Sequence, residues 1–228
     1  MKLLKTGIAQ INTTVGDFVG NTDKILHAYD KLVAAGAEFV VTPELAVCGY
    51  PPMDLIFRSG FITAAERQVE VLAGRTGEVP LIVGTIEANT APQGRPCHNS
   101  AIVLQNGQRV ATAHKSLLPT YDVFDEGRYF EPADAITVTQ VAGYRTGLTI
   151  CEDLWTPEYL PRDYYGHSPV EELEQAGLDL VINLSASPFA TGKPDKRRAM
   201  LGGIARRLGI PLVYANAVGG NDQLVFDG

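Results

Sequence analysis

RTGLTICEDLW, residues 145–155, decides how the rest of the chain is read. Its apolar, β-branched run Leu148, Thr149 and Ile150 has the composition of a buried strand. The run stops on Cys151, followed at once by the acidic pair Glu152 and Asp153. In open α/β sheets ligands bind beyond the carboxyl ends of strands, so a thiol at such an end is placed to act as a nucleophile. The alternative is a cysteine that only fills core, since free cysteine is among the most buried residue types. What else the chain delivers to strand ends decides between them.

Working outward, residues 136–141 read as a strand before this one and 178–184 as an apolar strand after it, ending in Ser185-Ala186-Ser187-Pro188. Between them Ser168-Pro169-Val170-Glu171 has the form of a capping box with proline at the first helical position. Residues 195–208 read as a helix closed by Gly209, 211–215 as a strand ending on Asn216, and 224–226 as the start of another. Upstream, Asn106-Gly107 separates strand patterns at 100–104 and 109–114, a strong hairpin signal, and the hairpin runs out on Lys115. Residues 6–11 read as a strand, and 21–35 as a helix with an apolar stripe of Ile25, Leu26, Tyr29, Leu32 and Val33 stopped by Gly36. A buried strand at 39–42 ends on Pro43 and Glu44. A second helix, 63–75, starts at the capping box Thr63-Ala64-Ala65-Glu66, and 80–86 is again strand-like. Hairpins mixed with strand–helix alternation imply mixed sheets covered by helices.

At 228 residues, 45% hydrophobic and 20% charged, the chain has the size of one α/β domain. A net charge of −7 argues against nucleic-acid binding. The basic cluster Lys196, Arg197, Arg198, Arg206 and Arg207 reads as a solvated helix face or a subunit contact. No apolar run is long enough to span a membrane and the N-terminus carries no signal-peptide pattern, so a cytoplasmic protein with no membrane partner is expected. The three cysteines are widely spaced without a CxxC pair, which argues against disulfides and against a zinc or other metal site. Cys48 reads as core and Cys97 as loop.

Glu44, Lys115 and Cys151 each follow a buried strand, and only a folded sheet brings them together. Singly, a glutamate or lysine at such a place is most often a solvated charge. Together they supply what amide hydrolysis by a thiol requires. A thiol with a reference pKa near ~8.5 needs a base, and a carboxylate can take its proton and later protonate leaving ammonia. The oxyanion needs fixed positive charge, which a lysine and a backbone N–H after the nucleophile provide; losing one such donor costs about 3 kcal/mol. No histidine takes the base role: His27 falls on a helix, and His98, His114 and His167 fall in or beside loops.

TPELAVCGYPP around Glu44, AHKSLLPTYDVFDEGRYF around Lys115 and LTICEDLW around Cys151 resemble the three signature segments of the nitrilase superfamily of carbon–nitrogen hydrolases. The resemblance runs over nearly the whole chain in the right order. It implies a four-layer α-β-β-α sandwich of two mixed β-sheets, with Glu44 as general base, Lys115 as oxyanion stabiliser and Cys151 as nucleophile. Glu126 matches a second glutamate that helps position the lysine and the substrate.

GYPPMDL, LPTYDVFDEGRYF, ICEDLW, NLSASPFATGKPDKR and NAVGGNDQLVFDG are similar to the glutaminase domain of glutamine-dependent NAD synthetases. That resemblance implies glutamine as substrate, hydrolysed through a thioester without a cofactor, and Tyr121, Ser187, Lys193 and Glu152 as substrate-binding residues. Two hydroxyls and a cation at a fixed distance from the nucleophile suit an amino-acid end, and Thr191-Gly192-Lys193-Pro194 reads as a compact turn. It further implies a C-terminal synthetase domain using ATP and Mg, and a homo-oligomer. No Ser-Gly-Gly-x-Asp pyrophosphate loop is present, so residues 1–228 are expected to be the hydrolase domain alone, truncated at its C-terminus. A stand-alone amidase on another small carboxamide, and a catalytically silent interaction module, are the other readings.

Overall fold

The computed structural model describes residues 3–160 and 162–228. The first half of the chain makes one sheet from β1 (Thr6–Ile8), β2 (Phe39–Val41), β3 (Leu81–Ala88), β4 (Cys97–Gln105) and β5 (Gln108–His114), side by side in that order. β1, β2 and β3 run parallel, while β4 and β5 are antiparallel hairpin neighbours. Asn106 and Gly107 both have positive φ (51° and 77°), as the two-residue turn joining β4 to β5 demands. The second half makes a four-stranded sheet from β6 (Thr137–Val141), β7 (Tyr144–Ile150), β8 (Leu180–Ser185) and β9 (Leu212–Asn216), with β7, β8 and β9 parallel. A two-stranded ribbon, β10 (Val218–Asn221) and β11 (Leu224–Asp227), follows.

Helices α1 (Phe18–Ala34) and α2 (Phe61–Arg75) cover the first sheet, and α3 (Pro169–Gln175) and α4 (Lys193–Leu208) the second. The period-two alternation of strand side chains assigns each residue to a layer. Val40 and Leu81 join Ile25, Leu26 and Leu72 of the helices. Phe39, Val41 and Ile82 point the other way and meet Leu148, Ile150 and Ile182 of the second sheet. Val181 faces outward to Leu173, Met200 and Ile204 of α3 and α4. Strands β2 and β8 are buried along their whole length because both faces are covered. The layers are helices, sheet, sheet, helices, as the sequence resemblance implies.

Several local readings give way to long-range partners. α2 starts at Phe61 after Gly60, with no side-chain cap; Thr63 lies inside the helix and Glu66 accepts the Ala88 N–H instead (3.2 Å). α3 has proline in its first turn, but Ser168 makes no cap bond and Glu172 takes the Ile136 N–H at 2.9 Å. Arg197 leaves the basic cluster altogether. It is buried, bonding Asp227 Oδ2 (2.6 Å) and the Ser187 carbonyl (3.3 Å), so the five cations do not form one solvated face. Cys97 is a buried residue of β4 rather than a loop residue, and His98 and His114 lie on β4 and β5 with their rings stacked at 3.9 Å.

Candidate active site

Each member of the constellation stands where a strand has just ended. Beyond β2 the chain turns sharply through Thr42, Pro43 and Glu44, with Leu45 at φ 49°. The turn lies so close to β3 that a Cβ on Gly84 would sit 2.3 Å from the Pro43 carbonyl oxygen, so only glycine fits there. Lys115 is the residue after β5, and its N–H is held by the Asn99 carbonyl at 2.9 Å. Cys151 follows β7 and opens a 3-10 turn, Cys151–Leu154, at φ 44°. A non-glycine residue in that region is strained, and here the strain falls on the candidate nucleophile.

Asp153 holds that turn against the lysine segment. One of its oxygens accepts the N–H groups of Ser116 and Leu117 (both 2.9 Å), and the other accepts Ile150 N–H at 2.8 Å. Its carboxyl is pushed up to about 6 by burial, against the pull of these N–H donors.

The Lys115 ammonium is 1% exposed and lies between two carboxylates. It donates to Glu44 Oε1 at 2.8 Å and to both oxygens of Glu126 at 2.9 and 2.7 Å. Asn99 Nδ2 also donates to Glu44 Oε1 (2.7 Å), the Ala186 N–H to Glu44 Oε2 (2.8 Å), and the Tyr50 hydroxyl to Glu126 Oε1 (2.8 Å). Glu44 Oε1 thus carries two donors, whereas Oε2 keeps a free lone pair. Burial opposes the charge on Lys115, but Glu126 and Glu44 outweigh it and hold the ammonium well above the ordinary lysine range. Burial pushes Glu126 up to about 7, with Lys115 limiting the rise.

Burial and then the Glu44 charge push the Cys151 thiol far above its usual value, with Lys115 and a Ser185 hydrogen bond opposing them. Burial and the Glu44 charge thus favour the protonated thiol over the thiolate, which suits a group that hands over its proton as it attacks.

Cys151 opens onto a cavity of 390 Å³, also lined by Tyr121, Glu152, Trp155, Ser187 and Lys193. Tyr121 and Tyr165 hydroxyls both donate to Glu152 Oε1, at 2.7 and 3.0 Å. The Ser187 hydroxyl is buried without a partner. Lys193 is the first residue of α4 rather than part of a free turn, with Nζ 5.5 Å from the centre of the Trp155 ring; burial lowers its pKa. The structure therefore sorts the candidates into two adjoining groups. Cys151, Glu152, Tyr121, Ser187 and Lys193 face the cavity, and Glu44, Lys115 and Glu126 form the buried cluster whose charges act on the thiol. Among the described residues, no group of three or more His, Cys, Asp or Glu side chains is placed to hold a metal ion, and no helix is long and apolar enough to cross a membrane.

Asn99, Tyr50, Asp153 and Tyr165 were not legible as site residues. Asp153 alone carried a signal, as the second acid after the cysteine.

A family model for carbon-nitrogen hydrolases matches residues 5–228. The chain belongs to the carbon-nitrogen hydrolase family. Among curated members, it is 41% identical over 226 residues to a glutamine-dependent NAD(+) synthetase of Synechocystis sp., covering 97% of this chain and 40% of that protein. It is 36% identical over 231 residues to the corresponding protein of Thermotoga maritima, covering 100% and 38%. The chain thus spans about two fifths of the length of these relatives, matching their carbon-nitrogen hydrolase portion. A solved glutamine-dependent NAD+ synthetase from Acinetobacter baumannii, in complex with ADP, superposes with a TM-score of 0.88 at 32% identity, over 99% of this chain and 40% of that one. An amidase from Nesterenkonia sp. (TM-score 0.78, 24% identity, 100% and 83% coverage) shares the carbon-nitrogen hydrolase fold.

Proposed function

We propose that this chain is the glutaminase domain of a glutamine-dependent NAD synthetase, releasing ammonia from glutamine through a thioester on Cys151. The observation that carries the reading is the buried Glu44–Lys115–Glu126 cluster beside a cysteine that opens onto a cavity of amino-acid size. Relatives of that name, at 41% and 36% identity, support the choice of glutamine.

Glu44 Oε2, the oxygen with a free lone pair, takes the thiol proton as Sγ attacks the carboxamide carbon. The carbonyl electron pair moves to oxygen, where Lys115 and the backbone N–H of Glu152 stabilise it. The C–N bond then breaks, Glu44 returns the proton to nitrogen, and ammonia leaves. Glu44 next takes a proton from water as its oxygen attacks the thioester; the C–S bond breaks, the thiol regains its proton and glutamate departs. Around the amino-acid end, Lys193 faces the α-carboxylate and Glu152 the α-ammonium, while Ser187 offers the buried hydroxyl that lacks a partner. A synthetase domain using ATP and Mg consumes the ammonia, in a cytoplasmic homo-oligomer.

Labelling with an electrophilic glutamine analogue, followed by intact mass and peptide mapping, tests the proposal. The expected result is one adduct on Cys151, prevented by glutamine and absent in Cys151→Ala, with ammonia released from glutamine by the wild type. Ammonia release from other carboxamides but not from glutamine would refute it in favour of a stand-alone amidase.

A further inference from the structure

Ser185 is the last residue of β8. β7 and β8 run parallel with Ile150 opposite Leu184, and Cys151 and Ser185 are the residues that follow this last pair, Cys151 at the start of its turn. The Ser185 side chain is fully buried, and its carbonyl is fixed by the N–H groups of Ala217 (2.9 Å) and Glu44 (3.4 Å). Its Oγ accepts a hydrogen bond from the Tyr214 hydroxyl at 2.7 Å. A serine hydroxyl has one proton and two lone pairs. With the tyrosine proton occupying one lone pair, the serine proton is free to point elsewhere, and the strand end beside it carries Cys151.

We propose that Ser185 is a catalytic hydrogen-bond donor to the Cys151 sulfur while that atom carries negative charge, and that Tyr214 is the positioning residue that aims it. The inference rests on Cys151 being the nucleophile and names a donor beyond Lys115 and the backbone. Lys115 favours a negative sulfur through its charge, while its hydrogen bonds go to Glu44 and Glu126. Glu44 on its own raises the cost of a negative sulfur. A neutral hydroxyl eases that cost without adding a charge or moving a proton: the thiol proton goes to Glu44 and Ser185 keeps its own. Burial and the Cys151 charge push Tyr214 far above its ordinary value, so it stays a donor across the working pH range. The bond is strong to a thiolate and weak to a thioester sulfur, so it favours attack and, in the second half-reaction, departure of the sulfur.

The test is the pH dependence of Cys151 alkylation by iodoacetamide in the 228-residue chain, quantified by peptide mapping so that Cys48 and Cys97 are counted separately. Ser185→Ala should move the profile up by about one pH unit, roughly tenfold slower labelling on the rising limb. Ser185→Thr, which keeps a hydroxyl, should restore most of the rate, and Tyr214→Phe should shift the profile in the same direction by less. Circular dichroism melts accompany each variant. Superimposable wild-type and Ser185→Ala profiles would overturn the proposal; if Ser185→Ala does not fold, an unshifted Tyr214→Phe profile does so. A folded wild type whose Cys151 never labels defeats the nucleophile reading itself, an outcome distinct from either.

Discussion

Replacing Gly84 by alanine adds one methyl group, and the geometry fixes what it must displace. The new Cβ would lie 2.3 Å from the Pro43 oxygen, 2.7 Å from the Leu45 nitrogen and 2.9 Å from the Glu44 Cα, all backbone atoms of the turn that carries the candidate base. No side chain can rotate away, so the turn itself has to yield by roughly 1 Å in a close-packed interior. Overpacking of this kind costs about 2 kcal/mol, a fall in Tm of about 4–8 °C for a domain of this size. The larger effect falls on chemistry, because a misplacement of about 1 Å at a reacting group costs roughly 10²-fold in rate. Ammonia release from glutamine, Cys151 labelling and a thermal melt are the assays. A rate within twofold of wild type at an unchanged Tm would refute the close-approach argument; a lower Tm with full activity would show that the turn relaxes without moving Glu44.

Asp153→Ala leaves three buried N–H groups without their acceptor, and a loss of about 3 kcal/mol is expected in urea unfolding, with labelling of Cys151 slowed. Glu126 sets a pH dependence: its carboxyl is raised by burial to about 7, so between the ordinary glutamate value of ~4.3 and that point the folded state holds more protons than the unfolded one. Stability from this group therefore falls as pH rises through that window and levels off above it. Glu126→Gln should flatten that slope in urea unfolding measured from pH 4.5 to 8; an unchanged slope would assign the dependence to other groups.

The residues legible in the sequence are those announced by an abrupt end to an apolar run. Glu44 and Cys151 each break such a run, whereas Lys115 follows β5, a hairpin strand that is mostly exposed or half-buried rather than the buried strand expected; the folded sheets bring Lys115 onto Glu44 beside the cysteine. Mixed sheets covered by helices were legible from hairpins set among strand–helix alternation, while the stacking of two sheets into four layers was implied only by the family resemblance. What escaped were residues whose meaning lies in distant partners. Asn99 is an ordinary strand residue until Glu44 is beside it, and Arg197 belongs to a basic run until Asp227 closes over it. The capping box at Thr63 failed because Glu66 found a tertiary N–H that a local pattern cannot show, and at Ser168 the side chain makes no cap bond. Strand β10 carries two adjacent glycines and little β propensity of its own; it exists through pairing with β11, where Gly219 lies opposite Phe226.

The two sheets come from two consecutive stretches of chain, and the candidate site straddles the seam between them. Glu44, Asn99, Lys115 and Glu126 are all synthesised before β6 begins, and Cys151, Glu152 and Ser187 only afterwards. A nascent chain therefore completes the proposed acid–base group before the proposed nucleophile has been made. The returning ribbon, through Leu224 and Phe226, packs into the core of the first half and straps the late-made portion onto the early one. Cutting the gene in the 133–136 connection would give two fragments, each with its own sheet and helices. Amide hydrolysis would then report directly on whether those fragments had found each other.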